Sequence, residues 1–397
     1  MKRRMLSLLL AGLLAGLGAA QDEIVIGWSG AVTGPTSDAG QYVVQGVEDY
    51  CRYASEEELI PGHTLRCITS DDQYDNNNTV RNFESYLDEG MDAFLSWSTG
   101  STLQLKVNAL EEQIPTMSSS LHIGVIDPPD NAYNFLPTTS YSEQTVALLE
   151  WIAQDHEGDA AKVALFIHPS AFGRAPVPDA EAAAEQLGIE IVEVLEHGEG
   201  LDYTAALQRW ANAGVQYVLT QTVQTPVATM LQNAQALGLL ETMQFMGAHY
   251  TGSSTLVNLA GEAAEGFLWA MSFANAGEVA LQREIGERFG RSEEAILDVN
   301  YTSGLMQAAV FVEAARRAAE AGDASSAGIY AALLEMNDEA AGAYDALGLG
   351  VGPVSFSEDD RVGVDALRLL QVQDGAFVPI TEPFQSELFR EIHVVAE

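Results

Sequence analysis

A cluster of hydroxyl-bearing residues in front of a helix is the first candidate site in this sequence. Residues 96–101 read Ser-Trp-Ser-Thr-Gly-Ser; they end an apolar run and precede a helical pattern that starts at Thr102. Free backbone N–H groups and the helix dipole favour an anion such as a carboxylate at this position. Capping of the helix by Ser101 is the simpler role, and the two roles can coexist. We expect Thr99, Gly100 and Ser101 to bind an anion.

The common signatures of catalysis and of cofactor binding are absent from the sequence. A nucleophile elbow needs Gly where Ser96 stands, and there is neither a P-loop nor a His-Glu-x-x-His motif. The glycines at 348–352 follow a helical pattern rather than a strand, which does not fit a dinucleotide site. The acidic segment 71–78 lacks the Gly and the final acid of a calcium loop, and we expect it to cap the next helix. The sequence therefore predicts a protein that is not an enzyme and that holds no metal or cofactor.

Further candidates lie on segments that follow predicted strands. In parallel α/β sheets, ligands bind beyond the carboxyl ends of the strands. Apart from segment 71–78, these segments are nearly free of acids, which suits a neutral or anionic ligand. Any single aromatic residue there could belong to a core, but four together suggest an apolar pocket wall. The candidates are Trp97, Ser98, Ser119, Ser120, His122, Tyr141, Phe172, Gln221, His249 and Tyr250.

Short apolar runs alternate with amphipathic stretches along most of the chain, a pattern typical of βαβ units and parallel sheets. The predicted strands are 24–28, 64–69, 93–97, 116–117, 163–167, 189–194, 217–220, 243–246, 266–271, 354–356, 369–373 and 377–380. The predicted helices are 41–54, 79–87, 102–113, 143–154, 180–187, 203–213, 227–237, 295–319 and 327–335. An α/β fold with two lobes accommodates this order.

The charge balance excludes one class of partner. The 397 residues contain 18 Lys and Arg against 57 Asp and Glu, a formal net charge of −39. Nucleic acid is therefore not expected as a partner, because no run of cations could replace the phosphate counterions. The 47% hydrophobic content provides material for buried cores and argues against disorder.

The first 20 residues have the pattern of a secretory signal peptide. Lys2, Arg3 and Arg4 precede an apolar run at 5–17, and small residues follow before Gln21. This run is shorter than the roughly 20 apolar residues that span a bilayer. Export places the protein in an oxidising compartment.

The two cysteines are therefore expected to form a disulfide. Cys51 and Cys67 are the only pair, and an oxidising compartment favours their bond. Two buried free thiols are the alternative. Cys51 lies on a predicted helix and Cys67 on the following strand, so the bond would join helix to sheet.

Motifs along the chain resemble one known family. Ile-Val-Ile-Gly at 24–27 is followed by Thr33-Gly34-Pro35 and by Gly40. Further matching segments are 70–72, 94–102, 114–115, 133–135, 172–174, 245–247, 264–266 and 352–356. They occur in order over essentially the whole mature chain. The sequence resembles the type I periplasmic binding proteins of the leucine/isoleucine/valine-binding kind, which serve ABC importers.

This resemblance implies two Rossmann-like lobes, a three-crossing hinge and a ligand cleft that closes between the lobes. The crossings are expected near 138–142, 271–275 and 347–352. The N-terminal lobe would then comprise 21–139 and 273–349, and the C-terminal lobe 140–272 and 350–397.

The resemblance also implies roles for single residues. The family holds an amino acid carboxylate by hydroxyl and backbone N–H groups, here on the loop at 99–101, with Ser119 and Ser120 on the next loop. His122 stands at a later hydroxyl position, and Phe172 corresponds to an aromatic residue of the second lobe. Amino-acid binders pair the ligand ammonium with an acid, but His249 stands at that position here. Ala39 replaces an aromatic residue and leaves room for a larger side chain.

We therefore expect a soluble, exported, periplasmic or extracytoplasmic binding protein that captures a small carboxylate. A branched-chain amino acid is the simplest ligand, and an ABC permease in the membrane is the expected partner. Two alternatives remain open from the sequence. The protein could be a ligand sensor that signals to a receptor or regulator, or it could bind an amide or aromatic acid that has no ammonium group.

Overall fold

The computed structural model describes residues 22–128, 133–198, 200–337 and 344–394. Its strands form two separate sheets, one of six strands and one of seven, with helices packed on both. The predicted α/β architecture is therefore confirmed. The predicted signal peptide at 1–20 lies outside the described residues.

The elements follow the predicted alternation closely. The strands are β1 (Asp22–Gly30), β2 (His63–Asp71), β3 (Ala93–Ser96), β4 (Thr116–Ser118), β5 (Asn134–Thr138), β6 (Lys162–Ile167), β7 (Glu190–Glu196), β8 (Tyr217–Gln221), β9 (Gln244–Gly247), β10 (Leu268–Met271), β11 (Val362–Val364), β12 (Arg368–Gln373) and β13 (Ala376–Pro379). The helices are α1 (Ser37–Glu56), α2 (Asn76–Asp88), α3 (Thr99–Glu111), α4 (Tyr141–Asp155), α5 (Ala171–Arg174), α6 (Val177–Leu187), α7 (Thr204–Ala213), α8 (Gln224–Ala236), α9 (Ser254–Ala260), α10 (Ala280–Arg288), α11 (Glu293–Ile296), α12 (Val299–Ala321), α13 (Ser326–Leu334) and α14 (Glu387–Val394).

The first sheet is parallel throughout, in the order β11-β5-β4-β3-β1-β2. Strand order reverses between β1 and β3, so the loops that follow these two strands diverge and leave a crevice. Side chains such as Ile24, Val25 and Ile26 are buried in succession rather than alternately. Such continuous burial is expected for a parallel strand that is covered on both faces.

The second sheet has the order β13-β12-β10-β9-β8-β6-β7. Its strands β6 to β10 are parallel, and β12 and β13 are added in antiparallel pairing. Here the order reverses between β6 and β8, which leaves a second crevice at the carboxyl ends of the strands.

Helices α1 and α12 cross at two glycines. A Cβ atom on Gly46 would lie 2.4 Å from the carbonyl oxygen of Tyr301, and one on Gly304 would lie 2.1 Å from that of Val43. Such distances are shorter than any carbon–oxygen contact between packed groups. Glycine at both positions is therefore what lets the two backbones touch, and any side chain there would force the helices apart.

In the described ranges the chain passes between the sheets three times, and the first two passages lie side by side. They follow β5 and β10, and the Oγ atoms of Thr139 and Ser272 are 2.5 Å apart. The segment at 349–351 lies beside the second passage, since Val351 N donates to Ser272 O at 2.9 Å. The third change of sheet comes later than the predicted 347–352, between β11 and β12.

Two strands were not predicted, and one predicted strand is not formed. Strand β5 contains Pro137 and β11 has only three residues with Gly363 at its centre, so neither gives a clear strand pattern. The predicted strand 354–356 makes a single bridge between Val354 and Tyr344 instead. Because β11 pairs with β5, it lies in the first sheet, whereas the predicted division assigned 350–397 to the second lobe.

The predicted disulfide is present between Cys51 on α1 and Cys67 on β2. It joins the helix to the edge strand of the first sheet, as expected. In the described ranges, no helix combines the length and apolar character needed to cross a membrane.

Candidate functional site

A narrow cavity lies where the crevices of the two sheets face each other. It measures about 240 Å³ including its opening to solvent and takes its walls from the loops and helix starts after β1, β2, β3, β5, β6, β8 and β9. The lining residues are Thr36, Tyr74, Trp97, Ser98, Thr99, Tyr141, Phe172, Val223 and Tyr250. Since both sheets contribute walls, a rotation of one lobe relative to the other would open the cavity to solvent.

One end of the cavity is the N-terminus of α3. Ser98 is the N-cap, and its Oγ accepts a hydrogen bond from Ser101 N at 3.1 Å. The hydroxyl groups of Thr99 and Ser120 are 2.6 Å apart. A Cβ atom on Gly100 would lie 2.7 Å from Nδ2 of Asn76, so a side chain at this position would require Asn76 to move. The unpaired N–H groups of this first turn and the hydroxyl of Thr99 form a donor set that suits a carboxylate.

The remaining walls are aromatic and uncharged. The rings of Trp97 and Tyr250 lie 5.3 Å apart and those of Tyr141 and Phe172 5.2 Å apart, both edge to face. Burial raises the pKa of Tyr141 and of Tyr250 well above the usual phenol value, so both remain neutral. Such a wall favours an apolar group or the diffuse positive charge of an ammonium.

Three pairs of residues are hydrogen-bonded from one lobe to the other around the cavity. Thr225, at the start of α8, donates from N and from Oγ1 to Asp38 Oδ2 on α1, at 3.2 and 2.9 Å. Tyr250 OH donates to Ser119 O at 2.7 Å. A third pair is bonded between the loops after β2 and β6. The structure therefore represents a closed arrangement of the lobes.

This third bond links Tyr74 OH and Ser170 Oγ, which are 3.3 Å apart. Ser170 Oγ is also 2.8 Å from Nδ1 of His168. Burial, with smaller contributions from His197 and Arg174, lowers the pKa of His168 to about 4, so this imidazole is neutral near pH 7.

Six predicted site residues line the cavity directly: Trp97, Ser98, Thr99, Tyr141, Phe172 and Tyr250. Several other predicted residues lie just behind it. Ser120 Oγ contacts Thr99, and Ser119 donates from Oγ to Gln307 Oε1 at 2.9 Å. Gln221 donates from Nε2 to Phe172 O at 3.3 Å and so supports the aromatic wall. Gly100 faces the mouth of the cleft.

The two predicted histidines do not line the cavity. His122 Nδ1 accepts a hydrogen bond from Gly124 N at 2.9 Å and caps a short 3-10 turn. His249 is 1% exposed, and its ring lies between those of Tyr250 and Phe273. Neither ring nitrogen of His249 has a hydrogen-bond partner, and burial lowers its pKa to about 3. A neutral imidazole buried behind the wall does not take the part of an ammonium-binding acid.

Three lining residues were not among the predicted ones: Thr36, Tyr74 and Val223. Thr36 Oγ1 accepts a hydrogen bond from Trp97 Nε1 at 3.0 Å. Its position just after Gly34-Pro35 offered a signal, because that turn follows β1. Tyr74 belongs to the acidic segment 71–78, which was interpreted only as a helix cap. The described residues contain no group of three or more His, Cys, Asp or Glu placed to hold a metal ion.

The comparison with known protein families decides the identity of the fold. Residues 23–376 match the family described as periplasmic binding protein. The chain belongs to this family. The leucine-specific-binding protein of Salmonella typhimurium is 24% identical to this periplasmic binding protein over 278 residues, which cover 68% of this chain and 73% of the relative.

Solved structures agree with this assignment. One of them is a branched chain amino acid ABC transporter protein from Thermus thermophilus with bound valine, which is 50% identical and has a TM-score of 0.91. The match covers 94% of this chain and 99% of the Thermus protein. A solute binding protein of an ABC transporter from Rhodopseudomonas palustris BisB5, in complex with 3,4-dihydroxy benzoic acid, has a TM-score of 0.75 at 18% identity. The match covers 92% of this chain and 98% of the Rhodopseudomonas protein, and at this identity it shows a shared fold alone.

This periplasmic binding protein is therefore a substrate-binding protein of ABC transport and not an enzyme, as the sequence predicted. Membership of the family implies an extracytoplasmic location. The individual ligand contacts assigned from the sequence stay predictions.

Proposed function

We propose that this protein captures a small aliphatic amino acid, most simply a branched-chain one, by closing its two lobes over it. The observation that carries the proposal is the pairing of a donor-rich helix N-terminus with an uncharged aromatic wall in one narrow cavity. The relative from Thermus thermophilus, 50% identical over nearly the whole chain, contains valine, which supports an amino acid of this size.

The carboxylate of the ligand would lie at the start of α3. Thr99 Oγ1 can turn its proton from Ser120 to a carboxylate oxygen, and backbone N–H groups of the first turn can donate to the same group. Hydrogen bonds to a charged group contribute ~1.5–3 kcal/mol each. This end of the cavity would therefore supply much of the affinity.

The aliphatic side chain would pack against the rings of Trp97, Tyr141, Phe172 and Tyr250. No charged residue is found among the residues that line the cavity in the described part of the chain. A charged ligand side chain would lose its hydration there without gaining a partner, so it is disfavoured.

The described residues that line the cavity include no carboxylate that could pair with the ammonium group of an amino acid. Whether the cavity recognises this ammonium decides between two classes of ligand, amino acids and carboxylic acids without an amino group. The faces of Trp97 and Tyr141 could attract a desolvated ammonium by cation–π interaction. A small carboxylic acid without an amino group would need no such partner. This same absence of an acid makes such carboxylic acids the second candidate ligands.

A matched pair of ligands tests the proposal. We would measure binding of L-leucine and of 4-methylpentanoate, which lacks only the amino group, by isothermal titration calorimetry. Tighter binding of leucine is expected if the aromatic faces hold the ammonium. Tighter binding of 4-methylpentanoate would select the second class, and binding of neither acid nor of valine or isoleucine would refute the proposal.

The role of the α3 N-terminus is tested by Thr99→Val. Losing one hydroxyl that donates to a carboxylate should weaken binding by at least about tenfold. Thr99→Ser keeps the hydroxyl and is the matched control, expected to stay within a few-fold of wild type. Equal affinities of the Val and Ser variants would contradict the carboxylate assignment.

Transport would follow from closure. The closed form presents an outer surface assembled from both lobes, and we propose that an ABC permease in the membrane recognises it. Uptake of labelled ligand by membrane vesicles that contain the permease should require this protein. Vesicles that take up ligand equally well without it would contradict this part of the proposal.

A further inference from the structure

Two cavities meet at the mouth of the cleft. The inner one is the cavity of about 240 Å³ described above. The second, called here the outer chamber, measures about 1310 Å³ including its opening to solvent. It lies between Asp75, Asn76 and Gly100 of the first lobe and Pro169 and His197 of the second lobe. Among the residues that the structure describes, only Tyr74 and Ser98 line both cavities.

The ring of Tyr74 therefore stands at the boundary between the two cavities. Ser98 is small and is engaged as the N-cap of α3, which leaves the phenol as the bulk at this boundary. The ring lies edge to face with His168 of the second lobe, with the ring centres 5.8 Å apart. Its hydroxyl reaches Ser170 Oγ at 3.3 Å. The phenol thus bridges both lobes across the opening.

The backbone places this ring at a cost. Tyr74 has φ 62° and Gln73 has φ 57°, a left-handed conformation that bulky residues rarely adopt. Asp72 Oδ1 accepts a hydrogen bond from Tyr74 N at 2.8 Å, and Asp71 Oδ1 accepts one from Gln73 N at 3.0 Å. These two carboxylates hold a strained turn that has no role in the sheet. Strain of this kind is typical of functional positions.

We propose that Tyr74 sets the upper size of the ligand by closing the inner cavity against the outer chamber. The inference rests on the proposed function, because it assumes that a small ligand occupies the inner cavity. A ligand that extends past the α3 N-terminus would meet the phenol ring. Such a ligand would prevent the ring from reaching His168 and Ser170, and the lobes would not close.

The test compares ligands of different length in matched variants. Tyr74→Gly removes the ring and suits the positive φ, so this variant should fold. Tyr74→Ser is a second ring-free variant with a small side chain. Tyr74→Phe keeps the ring and removes only the hydroxyl that contacts Ser170. The probes are leucine, leucyl-leucine, which extends from the carboxyl group, and acetyl-leucine, which extends from the amino group.

The measured quantity is the ratio of the dissociation constants for a longer probe and for leucine, by calorimetry. In Tyr74→Phe this ratio should equal that of wild type, even if both affinities fall. In Tyr74→Gly and Tyr74→Ser the ratio for at least one longer probe should fall at least tenfold. If leucine is not the best small ligand of the wild-type protein, that ligand and its extended derivatives replace the probes.

The outcomes separate this inference from the proposed function. If wild type binds small ligands but the ring-free variants keep its ratio, Tyr74 does not limit size and the inference is wrong. If Tyr74→Phe loses selectivity as well, the hydroxyl bond rather than the ring is responsible, which also overturns it. If wild type binds no small amino acid or acid, the proposed function fails and the inference fails with it.

Discussion

The hydrogen bonds between Thr225 and Asp38 give a direct measure of what lobe closure contributes to binding. Thr225 Oγ1 on α8 donates to Asp38 on α1 at 2.9 Å, across the cleft. In an open form both groups would be solvated by water. Thr225→Val keeps the size of the side chain and the backbone N–H donor, and it removes this one hydroxyl. Its effect should therefore fall almost entirely on the closed state.

The expected size of the effect follows from the geometry. A hydrogen bond to a charged group contributes ~1.5–3 kcal/mol, and the lower end applies because Thr225 is only partly buried. If the unliganded protein is mainly open, the free energy lost from the closed state appears in full in the dissociation constant. About 1.5 kcal/mol corresponds to binding that is about tenfold weaker.

A second threonine in the same chain provides the control. Thr33 Oγ1 donates to Asp71 at 2.6 Å, with the same chemistry, but both residues belong to the first lobe. Thr33→Val should leave ligand affinity within about twofold of wild type. The assay is calorimetry with the best ligand found, together with X-ray scattering with and without ligand. Equal affinity of wild type and Thr225→Val, or equal weakening in Thr33→Val, would refute the coupling of this bond to closure.

Three further predictions concern stability. Burial raises the pKa of Glu143 to about 8, so the carboxyl ionises first in the unfolded state and the free energy of unfolding falls between pH 4.5 and 8. Glu143→Gln should raise the free energy of unfolding at pH 8 by up to about 4 kcal/mol and change it little at pH 4. The same difference at both pH values would contradict this. The pKa of His249 in the folded protein is about 3, so stability is lost as the pH falls below 6.5. The free energy of unfolding of His249→Leu, measured with urea, should rise by about 3 kcal/mol relative to that of wild type between pH 8 and pH 4. Parallel pH profiles of the two proteins would show that the imidazole is solvated. Replacing Cys51 and Cys67 with alanine should cost ~3 kcal/mol, as expected for a 16-residue separation; a loss of less than about 1 kcal/mol would show that the reduced chain is already constrained.

Most of the fold could be predicted from the sequence because its parallel strands are continuous apolar runs separated by amphipathic helices. The exceptions have local physical causes. Strand β5 contains Pro137, which removes a backbone donor, and β11 is a short Val-Gly-Val segment that only its pairing with β5 identifies. This pairing also determines where the chain passes into the second sheet for the last time. The position of that passage could therefore not be predicted from the local sequence pattern.

The candidate site was predictable where a residue lies on the segment that follows an apolar strand, as Trp97 and Phe172 do. Tyr74 was missed because its position depends on a strained turn that is held by Asp71 and Asp72 side chains. The opposite error concerns His249: it follows β9 as expected, but its ring turns behind Tyr250 instead of toward the cavity. The position of a loop after a strand predicts that its backbone reaches the cleft. The direction in which each side chain of that loop points depends on packing and can be seen only in the structure.

The first two passages between the sheets are joined by the hydrogen bond between Thr139 and Ser272, and Val351 is bonded to the second passage. Because these passages are joined, we expect them to bend together, so that one lobe rotates relative to the other about one common axis. The outside of the molecule then has essentially two shapes, whatever the ligand. Under the proposed transport function, a permease that binds this exterior would therefore distinguish the loaded protein from the empty one, but not one ligand from another. Discrimination among solutes would then depend on the residues that line the cleft.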